Sequence, residues 1–384
     1  MTNDQEPPGG WPVPRSAYIH VPFCRHRCGY CNFSVVAGRD DLIARFIAAI
    51  DRELSLLNRP QIDTLFIGGG TPTHLDAPEL DRFLGLLAER FELSEKIEWS
   101  VEANPEDIDA NKLDVLVRHG VNRMSLGVQS FNADKLAVLE RGHSGVSATE
   151  AIKMVASRIK NVSLDLIFAA PEETLEVWQD DLETALELPI EHLSTYALTF
   201  EKGTSFWKRR EAGQLHSHKE DLEIEMYQLS RQMTAGAGLA HYEISSFARV
   251  GSRCRHNMAY WDGRGWFAAG PGAARFVGGR REVNHRSTTT YLKKMEADHT
   301  VVAEVDELSP TQYARERLAF GARMIDGIDI DEVSQSCGVD LHTLCKEEFQ
   351  RIEESGWATI ANSHLKLTDE GILFADAVAR ELLG

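Results

Sequence analysis

Two hydrophobic periods alternate along the first half of the chain. Ser16–His20 alternates apolar and polar residues and predicts a strand. Asp41–Leu57 then places Leu42, Phe46, Ile47, Ile50, Leu54 and Leu57 at intervals of three and four, which predicts a helix with one apolar face. The alternation continues. Strands are expected at Asp63–Ile67, Ile97–Val101, Arg123–Val128, Val162–Phe168 and Leu193–Phe200. Helices are expected between them at Pro78–Phe91, Asn111–His119, Ala148–Ser157 and Leu175–Leu188, with Gly120 closing the second. A strand–helix unit repeated about six times is the pattern of a parallel sheet with crossover helices. A partial (β/α)6-type barrel fits best, with a doubly wound sheet as the alternative. The last part of the chain reads differently. Helical patterns at Leu308–Met324, Ile330–Cys337, Leu341–Ser355 and Ile372–Leu383 surround a small hairpin, Trp357–Ile360 with Leu365–Leu367. This is a winged-helix-like α+β domain. The resulting division is a flexible tail at 1–15, a barrel at 16–250, a glycine- and aromatic-rich connecting segment at 251–305 and the winged-helix-like domain at 306–384.

Composition narrows the function classes. The 384 residues are 43% hydrophobic and 26% charged, with a formal net charge of −18. Such a surface is a poor general partner for nucleic acid or an anionic membrane. Glu347, Glu348, Glu353 and Glu354 fall on the helix that would read DNA in a winged helix, where carboxylates repel phosphates. No nucleic-acid partner is expected, and the last domain reads as a packing or partner-contact unit. No apolar run is long enough to span a membrane. Six cysteines, three clustered and three scattered at Cys254, Cys337 and Cys345, do not form a disulfide framework. A reducing, cytoplasmic setting is expected.

The clustered cysteines carry the strongest chemical signal. Cys24, Cys28 and Cys31 stand at spacings of four and three in one loop that contains Gly29. Thiolates are soft ligands suited to iron–sulfur clusters and to zinc. Three of them on a cubane leave one iron open, which is a binding position. Zinc with His20 or His26 as a further ligand is the competing reading, and unrelated buried thiols are a third. Other polar residues gather with this loop. Gly68–Thr71, Glu102 and Gln129 follow the ends of successive predicted strands, and Asp165 lies within the next. In barrels and open α/β sheets, sites form at the C-terminal ends of strands.

The phrase Tyr18-x-His-x-Pro-Phe followed by Cys24-x3-Cys28-x2-Cys31 resembles the radical S-adenosylmethionine (SAM) superfamily. The resemblance implies a [4Fe–4S] cluster on Cys24, Cys28 and Cys31. It implies SAM chelated to the open iron and cleaved to methionine and a 5′-deoxyadenosyl radical. It also implies that Tyr18, Tyr30, Gly69, Gly70, Thr71, Glu102, Gln129, Arg141 and Asp165 hold SAM. A carboxylate suits ribose hydroxyls, and a forked guanidinium suits the SAM carboxylate.

Further motifs narrow the resemblance: Gly69-Gly-Thr-Pro-Thr73, Glu102-Ala-Asn-Pro105, Ser125-Leu-Gly-Val-Gln-Ser-Phe131, Arg141-Gly-His-Ser144, Asp165-Leu-Ile-Phe168 and Tyr242-Glu-Ile-Ser245. Together they are similar to the oxygen-independent coproporphyrinogen III oxidase family, from about Ser16 to the C-terminus. Phe33 stands where the true oxidase has a fourth cysteine, and the lead before the cysteine loop is short. Both departures resemble the HemW-type heme chaperone branch, which implies binding of heme and its transfer to acceptor proteins. His256-Asn-Met-Ala-Tyr260-Trp261 matches that branch's His-Asn-x-x-Tyr-Trp motif, so the resemblance implies heme contacts at His256, Tyr260 and Trp261. The alternative function is coproporphyrinogen III dehydrogenase, a radical oxidative decarboxylation. A homodimer is compatible with either. Ala169 departs from a usual glycine after the Asp165 strand, and Ala274 from a frequent histidine.

Overall fold

The computed structural model describes residues 6–384. Six strands, β1 (Ser16–Val21), β2 (Gln61–Gly69), β3 (Glu92–Ala103), β4 (Arg123–Gln129), β5 (Asn161–Phe168) and β6 (His192–Ala197), run parallel and pair in sequence order. Helices α1 (Ile43–Ser55), α2 (Ala77–Arg90), α3 (Ala110–His119), α4 (Gly145–Ala156) and α5 (Leu175–Leu186) make the crossovers. Pairing in sequence order, with no reversal, is the barrel topology rather than the doubly wound one, whose strand order turns back at a switch point. β1 and β6 do not pair with each other, so the barrel is open.

The period of two along each strand builds two unlike faces. One set, including Ile19, Leu65, Ile67, Trp99, Val101 and Leu126, is fully buried against the helices. Phe46 and Ile50 of α1, Phe83 of α2 and Trp178 of α5 fill that layer. Fully burying one such side chain is worth about 1.5–3 kcal/mol. The opposite set is polar: Glu102, Arg123, Ser125, Ser163, Asp165, His192 and Ser194 line an internal cavity. Sequestering so many polar groups opposes folding unless they are paired. The outer layer supplies the stability against which this lumen is held.

The segment expected to be a connector extends the sheet instead. β7 (Ala240–Glu243) and β8 (Ser246–Ala248) form an antiparallel hairpin beyond β6. β9 (Trp266–Ala269) pairs parallel with β1, and β10 (Ala274–Val277), β11 (Arg280–Asn284) and β12 (Val302–Glu307) continue antiparallel from it. The sheet thus has twelve strands. Between the two extensions, the helix Arg255–Trp261 closes the floor of the lumen. Its first amides are capped by Glu98, which accepts from His256 N at 2.9 Å and Arg255 N at 3.1 Å.

The C-terminal domain has the expected winged-helix-like parts with two breaks. The helix anticipated at Leu341–Ser355 is split at Cys345 into Leu341–Leu344 and Lys346–Glu354, and that at Ile372–Leu383 is interrupted at Phe374. The wing turns at Asn362 and Ser363, both with positive φ (51° and 61°), as a two-residue hairpin turn requires. Its core is continuous with the extension strands through Phe276 and Tyr313. Trp11 packs on these same rings, with centroids 6.1 Å and 5.2 Å away. That corrects part of the expected flexible tail, because a half-buried indole packed on two rings anchors the segment; residues 1–5 of that tail lie outside the described residues. Among the described residues, no helix is long and apolar enough to cross a membrane.

Candidate functional site

The cysteine loop is carried on the glycine run. After β1 the chain stays beside the end of β2: Val21 O accepts from Gly70 N, and Phe23 O from Thr71 N, each at 2.7 Å. A Cβ at position 70 would stand 2.6 Å and 2.7 Å from those two carbonyl oxygens, so only glycine permits the approach. Gly69 has φ of 103°, in the region that favours glycine, and its N–H donates to Glu102 Oε2 at 2.9 Å. The loop is therefore fixed to the sheet before any cysteine is reached.

The three thiols lie near enough for Cys24 to feel the charge of Cys31 and Cys28, and Cys31 that of Cys28. Cys24 Sγ lies 3.5 Å from Thr71 Oγ1. Cys28 Sγ lies 3.7 Å from Glu140 O and 3.7 Å from Arg141 Nη1. Cys31 N donates to Cys28 O at 3.1 Å, closing a turn that brings the third thiol round. Burial pushes the Cys24 thiol up to about 12, and repulsion from Cys31 and Cys28 adds to this, while Thr71 and Arg141 oppose it. Burial likewise raises Cys31. Thiols of this kind ionise on binding metal. No three His, Cys, Asp or Glu side chains among the described residues converge at the distance one metal ion requires. The all-thiolate donor set of the loop suits an iron–sulfur group. Of the alternative zinc ligands, His20 is engaged, bonding Tyr18 OH at 3.0 Å and Ser34 O at 2.9 Å, whereas His26 is exposed, 3.9 Å from Glu140. Burial lowers His20 to about 4, so it is neutral.

Arg141 reaches across the loop from the segment after β4. Its Nη2 donates to Asn104 Oδ1 and to Gly127 O, each at 2.7 Å. Its Nε is buried without a partner. Asn104 also donates to Thr71 Oγ1 at 2.8 Å. Asn104 is thus a site residue that motif reading passed over, although it sits in the quoted Glu102-Ala-Asn-Pro105. Gln129 has φ of 67° at a break in the β4–β5 register, a strained strand end beside Gly127. Tyr30 packs edge-on against Phe206, ring centroids 6.0 Å apart, and Phe206 N donates to Gly29 O at 2.8 Å. The short helix Ser205–Glu211 therefore buttresses the loop, a role no motif signalled.

Below this ring lies the lumen, a cavity of about 290 Å³. Tyr18, Gly69, Glu102 and Asp165 line it, with Phe33 also in its wall and 61% exposed. Burial pushes Glu102 up to about 7, with Asp165 adding to the rise and the Gly69 amide opposing it. Burial raises Asp165 to about 6, against the hydrogen bonds of Ser125 and Ser194 and the charge of Arg123. Two carboxyls in one small chamber, neither with a paired cation, are poised to accept hydrogen bonds from a hydroxyl-bearing ligand.

The three residues implied for heme do not form one face. His256 is 1% exposed. Its Nδ1 is 2.9 Å from Thr64 Oγ1 and its Nε2 is 2.8 Å from Tyr260 OH, so both nitrogens are committed. Burial lowers it to about 3, which keeps it neutral. Tyr260 lines the lumen beside it. Trp261 turns the other way, toward the C-terminal domain, with the Arg323 guanidinium 5.1 Å over its ring. The motif is the floor of the barrel, and in this structure both His256 nitrogens are hydrogen-bonded within it.

Comparison with known proteins agrees with this architecture. Residues 18–185 match the family model of the radical SAM superfamily, and residues 308–374 match that of the HemN C-terminal domain. Heme chaperone HemW of Bacillus subtilis (strain 168) is 32% identical over 376 residues, covering 96% of this chain and 99% of that protein. Heme chaperone HemW of Mycobacterium tuberculosis (strain CDC 1551 / Oshkosh) is 33% identical, with 99% and 98% covered. The solved structure of coproporphyrinogen III oxidase (HemN) from Escherichia coli superposes with a TM-score of 0.84 at 20% identity, covering 96% of this chain and 90% of that one. At that identity the likeness concerns the fold.

Proposed function

Because the chain belongs to the HemW family within the radical SAM superfamily, we propose that it is a heme chaperone that binds a [4Fe–4S] cluster, SAM and heme, and hands heme to acceptor proteins. The observation that carries this reading is the loop after β1. Its three thiols stand within eight residues of one loop, with Cys24 braced by Thr71 and Cys28 by Arg141. A cluster so held keeps one iron for an external ligand and, when bound, supplies one-electron chemistry to SAM.

This chain's own residues then divide the work. Cys24, Cys28 and Cys31 ligate the cluster. Arg141, with its free buried Nε, offers a forked donor for the SAM carboxylate. Glu102 and Asp165 offer acceptors to ribose hydroxyls, and Tyr18 with Phe66 gives an aromatic wall, ring centroids 6.3 Å apart. Thr71 and Asn104 hold Arg141 and Cys24 in register, which makes them positioning residues. Phe33 at the chamber's mouth, in place of a further thiol, favours the chaperone over coproporphyrinogen III dehydrogenase.

Anaerobic reconstitution with iron and sulfide tests the reading, followed by SAM and heme titration of wild type and Cys24→Ala. Wild type is expected to take about four irons and four sulfides per chain and to bind heme. It should form no protoporphyrinogen from coproporphyrinogen. Equal iron and sulfide in Cys24→Ala would remove the cluster assignment. Turnover of coproporphyrinogen would replace the chaperone by the dehydrogenase.

A further inference from the structure

A buried ionic cluster lies behind the cysteine loop, apart from the residues described so far. Lys135 Nζ donates to Glu173 Oε1 at 2.5 Å and to Asp181 Oδ2 at 2.9 Å. It also stands 4.8 Å over the Trp178 ring. The three charged side chains are at most 3% exposed. Both carboxylates have further partners. Glu173 Oε2 accepts from Ala170 N at 2.9 Å. Asp181 accepts from Phe131 N at 2.6 Å and from Ser130 Oγ at 2.7 Å. Burial raises the pKa of Glu173 against the charge of Lys135. A buried ion pair is weak evidence of stabilisation, so the use of this one is sought in what it fixes.

What it fixes is the segment that ends in Arg141. The helix Ala133–Val138 has six residues, too few to hold its own shape in water. It ends in a Schellman closure: Arg141 N donates to Leu136 O at 2.9 Å and Glu140 N to Ala137 O at 3.1 Å. Glu140, at φ 56°, takes the left-handed position usually given to glycine. The direction of this helix therefore sets the Arg141 backbone. Ser130, Phe131 and Lys135 tie the helix to Asp181 of α5, and Lys135 ties it through Glu173 to the loop after β5. Both tied segments hold non-glycine residues at positive φ: Gln129 and Glu140 on one, Ala169 and Glu172 on the other. Such residues persist only where their surroundings over-determine them. Lys135 does not itself line the lumen. Resting on the SAM-binding reading above, we infer that Lys135 is a positioning residue, which through Glu173 and Asp181 aims the Arg141 guanidinium at the SAM carboxylate. A displacement of about 1 Å is enough to spoil a forked contact of that kind.

The test uses full-length, cluster-loaded protein and equilibrium binding of two nucleosides. SAM carries the carboxylate; 5′-methylthioadenosine shares its adenosine and lacks the carboxylate. Lys135→Met keeps a long side chain and removes its charge. Glu173→Gln keeps an acceptor for Ala170 N and neutralises one arm of the pair. Lys135→Met is expected to weaken SAM by about tenfold or more, the worth of one charge-assisted contact, and to leave 5′-methylthioadenosine within about twofold. Glu173→Gln should shift SAM the same way by less, and it decides the matter where Lys135→Met fails to fold. In an Arg141→Gln background, Lys135→Met should cost SAM nothing further, since both changes act on one contact. Equal loss of both nucleosides, or losses that add in the double variant, make the cluster a staple of the fold and overturn the proposal. Unchanged SAM affinity in both single variants overturns it as well. So does loss of iron and sulfide in Glu173→Gln, because the effect then reaches the cysteine loop rather than Arg141. Wild type that loads its cluster and binds no SAM removes the SAM reading itself.

Discussion

The buried carboxyl Glu102 sets up a measurable conflict between function and stability. Its pKa is moved from an ordinary 4.5 to about 7 by burial and by Asp165. Between those values the folded chain keeps the proton and the unfolded chain has lost it. Folding is therefore most favoured below the unfolded value. The advantage falls as pH rises through about 7 and is flat above it. At 1.36 kcal/mol per pKa unit, the full difference is about 3 kcal/mol. Glu102→Gln removes the titration and retains the carbonyl that accepts from Gly69 N. In cluster-free protein, chemical denaturation from about pH 5 to pH 8 should show the variant gaining on wild type as pH rises. The gap should reach about 3 kcal/mol at the alkaline end and close at the acid end. The same variant should bind SAM more weakly, because a neutral amide replaces the acceptor offered to the ribose. Parallel stability profiles for the two proteins would refute the reasoning, since they would mean that Glu102 carries no buried charge.

The other expectations concern the walls of the site. Ala169, at φ 59°, is a non-glycine residue in the left-handed region, so Ala169→Gly should raise stability by about 0.5–1 kcal/mol in denaturant titration, without altering iron content. Gly70→Ala should clash with the Val21 and Phe23 carbonyls and lower the iron and sulfide retained after reconstitution, while far-ultraviolet circular dichroism keeps its helical signal. His256→Ala should destabilise by about 2–4 kcal/mol, because it leaves a cavity and strands the Thr64 and Tyr260 hydroxyls. Soret titration of that variant separates a purely structural role, which leaves heme affinity within about twofold of wild type, from ligation of iron, which lowers it by about tenfold or more.

Much of the barrel was readable because its two periods are strong. The strand expected at Arg123–Val128 ends one residue later, and the helix expected at Asn111–His119 begins one residue earlier. The sheet's extension was not readable, because β9 to β12 are short and β10 to β12 carry Arg, Glu or Asp where an alternating apolar face would show. The partner of β9 is β1, 250 positions away at Ser16↔Trp266, and no local pattern reports a contact of that span. The cluster loop was legible because thiol spacing is a local quantity. The surroundings of the motif implied for heme were not legible, for the converse reason. His256, Tyr260 and Trp261 are neighbours in sequence, yet a helical turn sends Tyr260 to the lumen and Trp261 to the opposite side. What decides whether a histidine can meet iron is whether its nitrogens are already spent. For His256 that depends on Thr64, far away in sequence. A motif marks residues that a fold needs, and only their hydrogen-bond partners tell whether the need is for a ligand or for a floor.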